Sequence, residues 1–274
     1  MTENTFRQLS YSAIVADLRA WAKEYPNLVT LGNAQDAFGV ASPGTCGNFE
    51  SCKQYFIRLT NKRTLPDVYR PEIFLSGALH GNERVGPTAV VEFARLLLEN
   101  YVEKDTRKQN SWLKYLVNTR SIYIMPSANA LGYYKNEREE SGVDPNRDFP
   151  YNQDETKCMK TTAARAINEL WRRHIFQLSL TFHAGETSLD YEWGAFNHPP
   201  PDDQSPDERG FKALAETSSK FASKFGSEPQ YPTSRLGRDP YDVNGGMEDW
   251  AYAVCTVILT LRNSETLTIS IISI

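Results

Sequence analysis

Seven residues without a charge, Ile73-Phe-Leu-Ser-Gly-Ala-Leu79, run directly into the polar tetrad His80-Gly-Asn-Glu83, and Gly86-Pro87 follow at once. A short apolar run closed by a polar turn is the pattern of a buried strand. Pro at the first turn opens a helix, here carried on through Val90, Phe93, Ala94 and Leu97. The chain is thus committed early to a strand–loop–helix unit. The same alternation recurs along its length. Tyr11 to Tyr25 has Ile14, Leu18, Trp21 and Ala22 at helical spacing, while Asn27 to Gly32, Gln54 to Thr60 and Ser121 to Met125 read as strands. Ala128 to Tyr151, dense in Asn, Gly, Arg and acidic residues, reads as irregular; a helix from about Thr162 to His174 then leads into the strand Gln177 to Phe182, and a further helix is expected over Phe211 to Phe225. Strands alternating with helices and polar loops imply an α/β fold with a central sheet sandwiched between helices. The 274 residues fit one large domain, 1–274.

Composition narrows the function classes. Apolar residues make up 40% and charged residues 23%, as in ordinary globular chains. The net charge of -4 supplies no basic field for nucleic acid or anionic lipid. No window approaches the ~20 apolar residues of a membrane span. The opening Met-Thr-Glu-Asn-Thr-Phe-Arg lacks a secretory pattern. Cys46 and Cys52 bracket Gly-Asn-Phe-Glu-Ser, a spacing open to a small disulfide loop or to two plain thiols. Compartment and oligomeric state stay open.

The chemistry-bearing residues cluster beyond strand ends, where functional groups of α/β sheets collect. His80 and Glu83 follow one apolar strand, and His183 ends another. Two His and one Glu, leaving a position for water, are a recurring zinc ligand set. A lone His-x-x-Glu is a weak signal, since such pairs are common in solvated loops.

Further motifs sharpen it. Asp144-Pro-Asn-Arg-Asp-Phe149, Thr181-Phe-His183-Ala-Gly and Gly245-Gly-Met-Glu-Asp-Trp250 occur with His80-Gly-Asn-Glu83 in one order. Together they resemble the zinc carboxypeptidases, most nearly the regulatory branch, from about residue 10 to residue 252. The resemblance implies a mixed sheet, one zinc ion on His80, Glu83 and His183, and peptide or protein C-termini as substrates. It implies that Asn146 and Arg147 bind the terminal carboxylate, as a guanidinium fork is suited to do. Asp144 then orients His80, Arg138 polarises the scissile carbonyl and Tyr241 covers bound substrate. Glu248 falls at the base of the specificity pocket, where a carboxylate would favour basic C-terminal side chains. The resemblance also suggests a secreted or lumenal protein if an upstream segment is missing.

Two departures stand out. Ala184 replaces a residue that is often Gly or Ser. More seriously, the family's proton-transferring Glu lies about fourteen residues after the Asp matched by Asp249, which here is Asn263. Aligning Leu261-Arg262 instead puts Thr260 there, and the nearest carboxylate is Glu265. The uncharged tail Thr266-Leu-Thr-Ile-Ser-Ile-Ile-Ser-Ile274 reads as an exposed, aggregation-prone edge. The family pattern is expected to break after about residue 253, leaving the domain incomplete. Three functions follow: an active metallocarboxypeptidase, a zinc- and peptide-binding module lacking its general base, or a zinc deacylase on the same scaffold.

Overall fold

The computed structural model describes residues 7–47, 50–185, 187–198, 204–222, 231–236, 242–255 and 267–272, the last segment by its backbone. Eight strands form one mixed sheet: β1 (Val29–Asn33), β2 (Tyr55–Leu59), β3 (Glu72–Gly77), β4 (Ser121–Met125), β5 (Phe176–His183), β6 (Ser188–Tyr191), β7 (Thr233–Arg235) and β8 (Leu267–Ile272). Their order is β1-β2-β4-β3-β5-β8-β6-β7. The four inner strands β4, β3, β5 and β8 run parallel, and antiparallel pairing begins at β2 on one side and β6 on the other.

The helices are α1 (Tyr11–Glu24), α2 (Ala34–Phe38), α3 (Val85–Val102), α4 (Ser111–Thr119), α5 (Ala130–Lys135), α6 (Thr162–Trp171), α7 (Glu208–Ala222) and α8 (Met247–Trp250). Side-chain caps fix several starts. Ser10 Oγ accepts from Ala13 N–H at 3.1 Å to begin α1, and Thr161 Oγ1 accepts from Ala164 N–H at 3.1 Å to begin α6. Among the described residues no helix is long and apolar enough to cross a membrane.

Strand periodicity builds the two layers of core. On β3 and β4, Leu75, Ile122 and Ile124 join Ile14, Leu18, Val90, Val91 and Leu97 on one face. Their neighbours Phe74, Tyr123 and Met125 join Ile167, Leu170, Trp171 and Trp250 on the other. Successive strand residues point to opposite faces, so each parallel strand needs helices on both sides. From β3 the chain crosses to β4 on one side, and from β4 it returns to β5 on the other. The site-bearing loops therefore leave the sheet at a switch point, where neighbouring connections diverge and open a crevice.

Two expectations need correction. The uncharged tail is not an exposed edge: Leu267–Ile272 is an interior strand, parallel to β5 and antiparallel to β6. Backbone pairing on both sides removes the free edge. The segment from Ala128 to Tyr151, read as irregular, contains the short helix α5 and a 3-10 turn over Pro145–Arg147. Glu265 and Tyr241 lie outside the described residues.

Candidate metal centre and peptide-binding site

The loop after β3 can turn His80 and Glu83 toward one point because Gly81 lies directly against α5. A Cβ on Gly81 would sit 2.1 Å from the Gly132 carbonyl carbon and 2.4 Å from Tyr133 N. Only a residue without a side chain permits that approach. His183 arrives from the last position of β5.

The three side chains converge. His80 Nδ1 lies 2.7 Å from Glu83 Oε1, His183 Nδ1 lies 2.9 Å from Glu83 Oε2, and the two Nδ1 atoms are 3.1 Å apart. All three residues are buried. On its far side His80 Nε2–H donates to Asp144 Oδ1 at 3.0 Å, which leaves Nδ1 as the lone-pair nitrogen. Two nitrogens and a carboxylate crowded at this spacing fit a shared cation. Zinc bonds of roughly 2.0–2.1 Å in a tetrahedron separate ligand atoms by about 3.3 Å. Burial pushes the Glu83 carboxyl up, but the His183 and His80 imidazoles beside it outweigh burial and hold it down at about 2. It is therefore anionic, as a metal ligand must be.

Beside this triad lies a row of charged and amide groups. Arg138 is held by Asp144, with Nη2 to Oδ2 at 3.0 Å, and reaches Glu83 Oε1 at 3.5 Å. Asp144 is low in pKa although burial opposes this, because His80 and Arg138 stabilise its charge. Its Oδ1 also accepts the Asn146 N–H at 2.8 Å, so one carboxylate ties the metal loop to the Asn146-Arg147 turn. Asn146 is buried; its Oδ1 accepts from Met247 N–H at 2.8 Å and its Nδ2 donates to Glu248 Oε1 at 3.3 Å. The Arg147 guanidinium donates to the Asn146 carbonyl at 2.7 Å. Gly245 (φ +70°) seals the rear of this turn, since a Cβ there would lie 2.6 Å from the Arg147 carbonyl oxygen.

Glu248 is 1% exposed and stands 3.5 Å from His183 Nε2. That separation is at the outer limit for a hydrogen bond. Burial pushes Glu248 up, yet His183 and Asn146 hold it below the usual carboxylate range. Among the described residues its Oε2 has no hydrogen-bond partner.

Three further residues belong to this region. Asp249, buried, accepts the N–H groups of Gly194 and Ala195 at 2.9 and 2.7 Å. Glu192 is wholly buried, neither of its oxygens has a hydrogen-bond partner among the described residues, and burial raises its carboxyl well above the ordinary value. Nothing in Tyr191-Glu192-Trp193 distinguishes it from a surface acid. Asn129 caps α5, and its place after an apolar strand is an N-cap signal that the sequence does contain.

The strand flanking His183 bears on turnover. β8 pairs His183 with Ile272 and Leu178 with Leu267, so its Leu-Thr-Ile-Ser-Ile-Ile sequence places no carboxylate along β5.

The fold and this ligand set define a zinc carboxypeptidase scaffold. A family model described as zinc carboxypeptidase matches residues 14–268, and the chain belongs to that family. Carboxypeptidase D of Anas platyrhynchos is 27% identical over 275 residues, covering 90% of this chain and 18% of that protein. Carboxypeptidase SOL1 of Arabidopsis thaliana is 29% identical over 196 residues, covering 64% of this chain and 36% of its own length. The chain thus spans well under half of these relatives. Among solved structures, carboxypeptidase A from Helicoverpa armigera superposes with a TM-score of 0.70 at 18% identity, covering 97% of this chain and 64% of that one. Thrombin activatable fibrinolysis inhibitor gives 0.72 at 15% identity, with 97% and 66% covered. At such identities the likeness is one of fold.

Proposed function

We propose that this chain binds the C-termini of peptides at a zinc centre on His80, Glu83 and His183 and hydrolyses the terminal peptide bond. The observation that carries the reading is the single carboxylate of Asp144, which bonds to His80, Arg138 and the Asn146 backbone together. It sets the metal ligand, a candidate carbonyl-polarising arginine and the candidate carboxylate-binding turn in one frame. Zinc held there would supply Lewis acidity at the scissile bond. Asn146 and Arg147 bind the terminal carboxylate, and Arg138 directs its guanidinium at the carbonyl oxygen. Glu248, anionic and buried with one unpartnered oxygen, favours a lysine or arginine side chain at the terminus.

A second reading, a peptide-binding domain of slow turnover, is favoured by the absence of a carboxylate on β8. A missing general base removes typically ~10²–10⁴-fold of rate. Nothing specific favours a deacylase. One experiment separates them: zinc content measured alongside release of the last residue from Arg-, Lys- and Phe-terminated peptides, with and without chelator. Chelator-sensitive release, fastest from Arg or Lys, supports the hydrolase. One equivalent of zinc with peptide binding but no release supports the second reading, and failure to bind zinc defeats both.

A further inference from the structure

Asn129 is wholly buried where β4 passes into α5, and its polar groups hold three different parts of the site. Its backbone N–H donates to the Ala78 carbonyl at 2.9 Å, on the stretch leading into His80. Its Oδ1 accepts the Gly132 N–H at 2.8 Å, capping α5. Its Nδ2 donates to the Arg138 carbonyl at 3.3 Å. The same carbonyl accepts the Gly81 N–H at 3.1 Å. The Arg138 backbone is thus pinned between the metal loop and one buried amide. Behind α5, the Cys46–Cys52 disulfide packs with Ala130 and Leu131 in an apolar cluster.

The Arg138 side chain is 39% exposed, so packing alone does not fix where its guanidinium points. A long arginine stem acts with precision only if its base is anchored, and misplacement by about 1 Å can cost ~10²-fold. We propose that Asn129 is a positioning residue for Arg138: its side-chain amide, backed through α5 by the disulfide hairpin, sets the origin from which the guanidinium meets the substrate carbonyl. This rests on the substrate role given to Arg138 above.

The test uses two probes titrated calorimetrically into the zinc-loaded protein. One is a dipeptide phosphonate, whose tetrahedral anion replaces the scissile group. The other is free L-arginine, which has no scissile group. Asn129→Asp keeps the oxygen that caps α5 and removes the amide donor, whereas Asn129→Ala removes both. Each should weaken the phosphonate about five- to tenfold, with L-arginine affinity and zinc content unchanged. The double variant N129A/R138A should bind the phosphonate no more weakly than R138A, because both changes remove one interaction. Equal weakening of both probes, additive losses, or wild-type phosphonate affinity in N129D would overturn the proposal. If R138A leaves the phosphonate affinity unchanged, the substrate role of Arg138 fails and the proposal falls with it. If R138A weakens binding and the Asn129 variants do not, positioning alone fails.

Discussion

Asp144 is half-buried and Asp249 buried, and their carboxyls shift in opposite directions because their partners differ. Asp144 faces His80 and Arg138 and is held low. Among the described residues Asp249 accepts only from backbone N–H groups, beside the Glu248 charge, and burial pushes it up to about 7. In the unfolded chain an Asp loses its proton near pH 4. Between about pH 4 and pH 7 the folded state therefore holds one proton more at Asp249, and stability falls as pH rises through that window. Asp249→Asn should flatten the decline by up to ~1.4 kcal/mol per pH unit, as read from urea unfolding at pH 5 and pH 7. Arg147 offers a second test at this scale. Arg147→Ala should weaken binding of a peptide with a free C-terminus at least about tenfold, as expected for lost charge-assisted bonds. The same peptide amidated at its C-terminus should be unaffected.

Elements supply what single residues cannot, namely close approach. The loop after β3 rests on α5 through Gly81 and Gly132, and a Cβ on Gly132 would lie 2.4 Å from Asn129 Nδ2. Gly81→Ala would force backbone against backbone, leaving no flexible side chain to yield. The loop would have to leave α5, taking His80 and Glu83 with it. Zinc retained after dialysis should fall well below one equivalent, while circular dichroism keeps the sheet signal. Retention of a full equivalent would mean that the loop adapts without losing its geometry.

At the scale of the whole molecule, the candidate ligands come from both sides of a strand boundary, Glu83 and His80 after β3 and His183 from β5. A metal that joins them stabilises the native state alone. With free zinc held near 1,000 times its Kd, the gain is about 4 kcal/mol. For a domain of this size that corresponds to roughly 10 °C in Tm. Chelator should lower Tm by that order in the wild type and leave His183→Ala unchanged. Equal chelator effects on the two proteins would place the metal elsewhere.

Much of this was legible in the residue order. The run Ile73–Leu79 followed by His80-Gly-Asn-Glu83 specified strand and loop, because burial on both faces of a parallel strand demands apolar residues and a polar stop. Short helices such as α5 leave no periodic mark in the residue order, since six residues are too few to carry one. The tail was misjudged for a related reason. An uncharged β-prone run suits an exposed edge and a buried interior strand alike, and pairing partners alone distinguish them. Sequence by itself determined which side chains can bind a cation or a carboxylate. Only the tertiary structure decided that Glu248 faces His183 and that β8 lies beside β5 without a carboxylate, because both depend on contacts between segments far apart in the chain; that Asn129 reaches Arg138 nine residues on depends on how α5 folds the chain back between them.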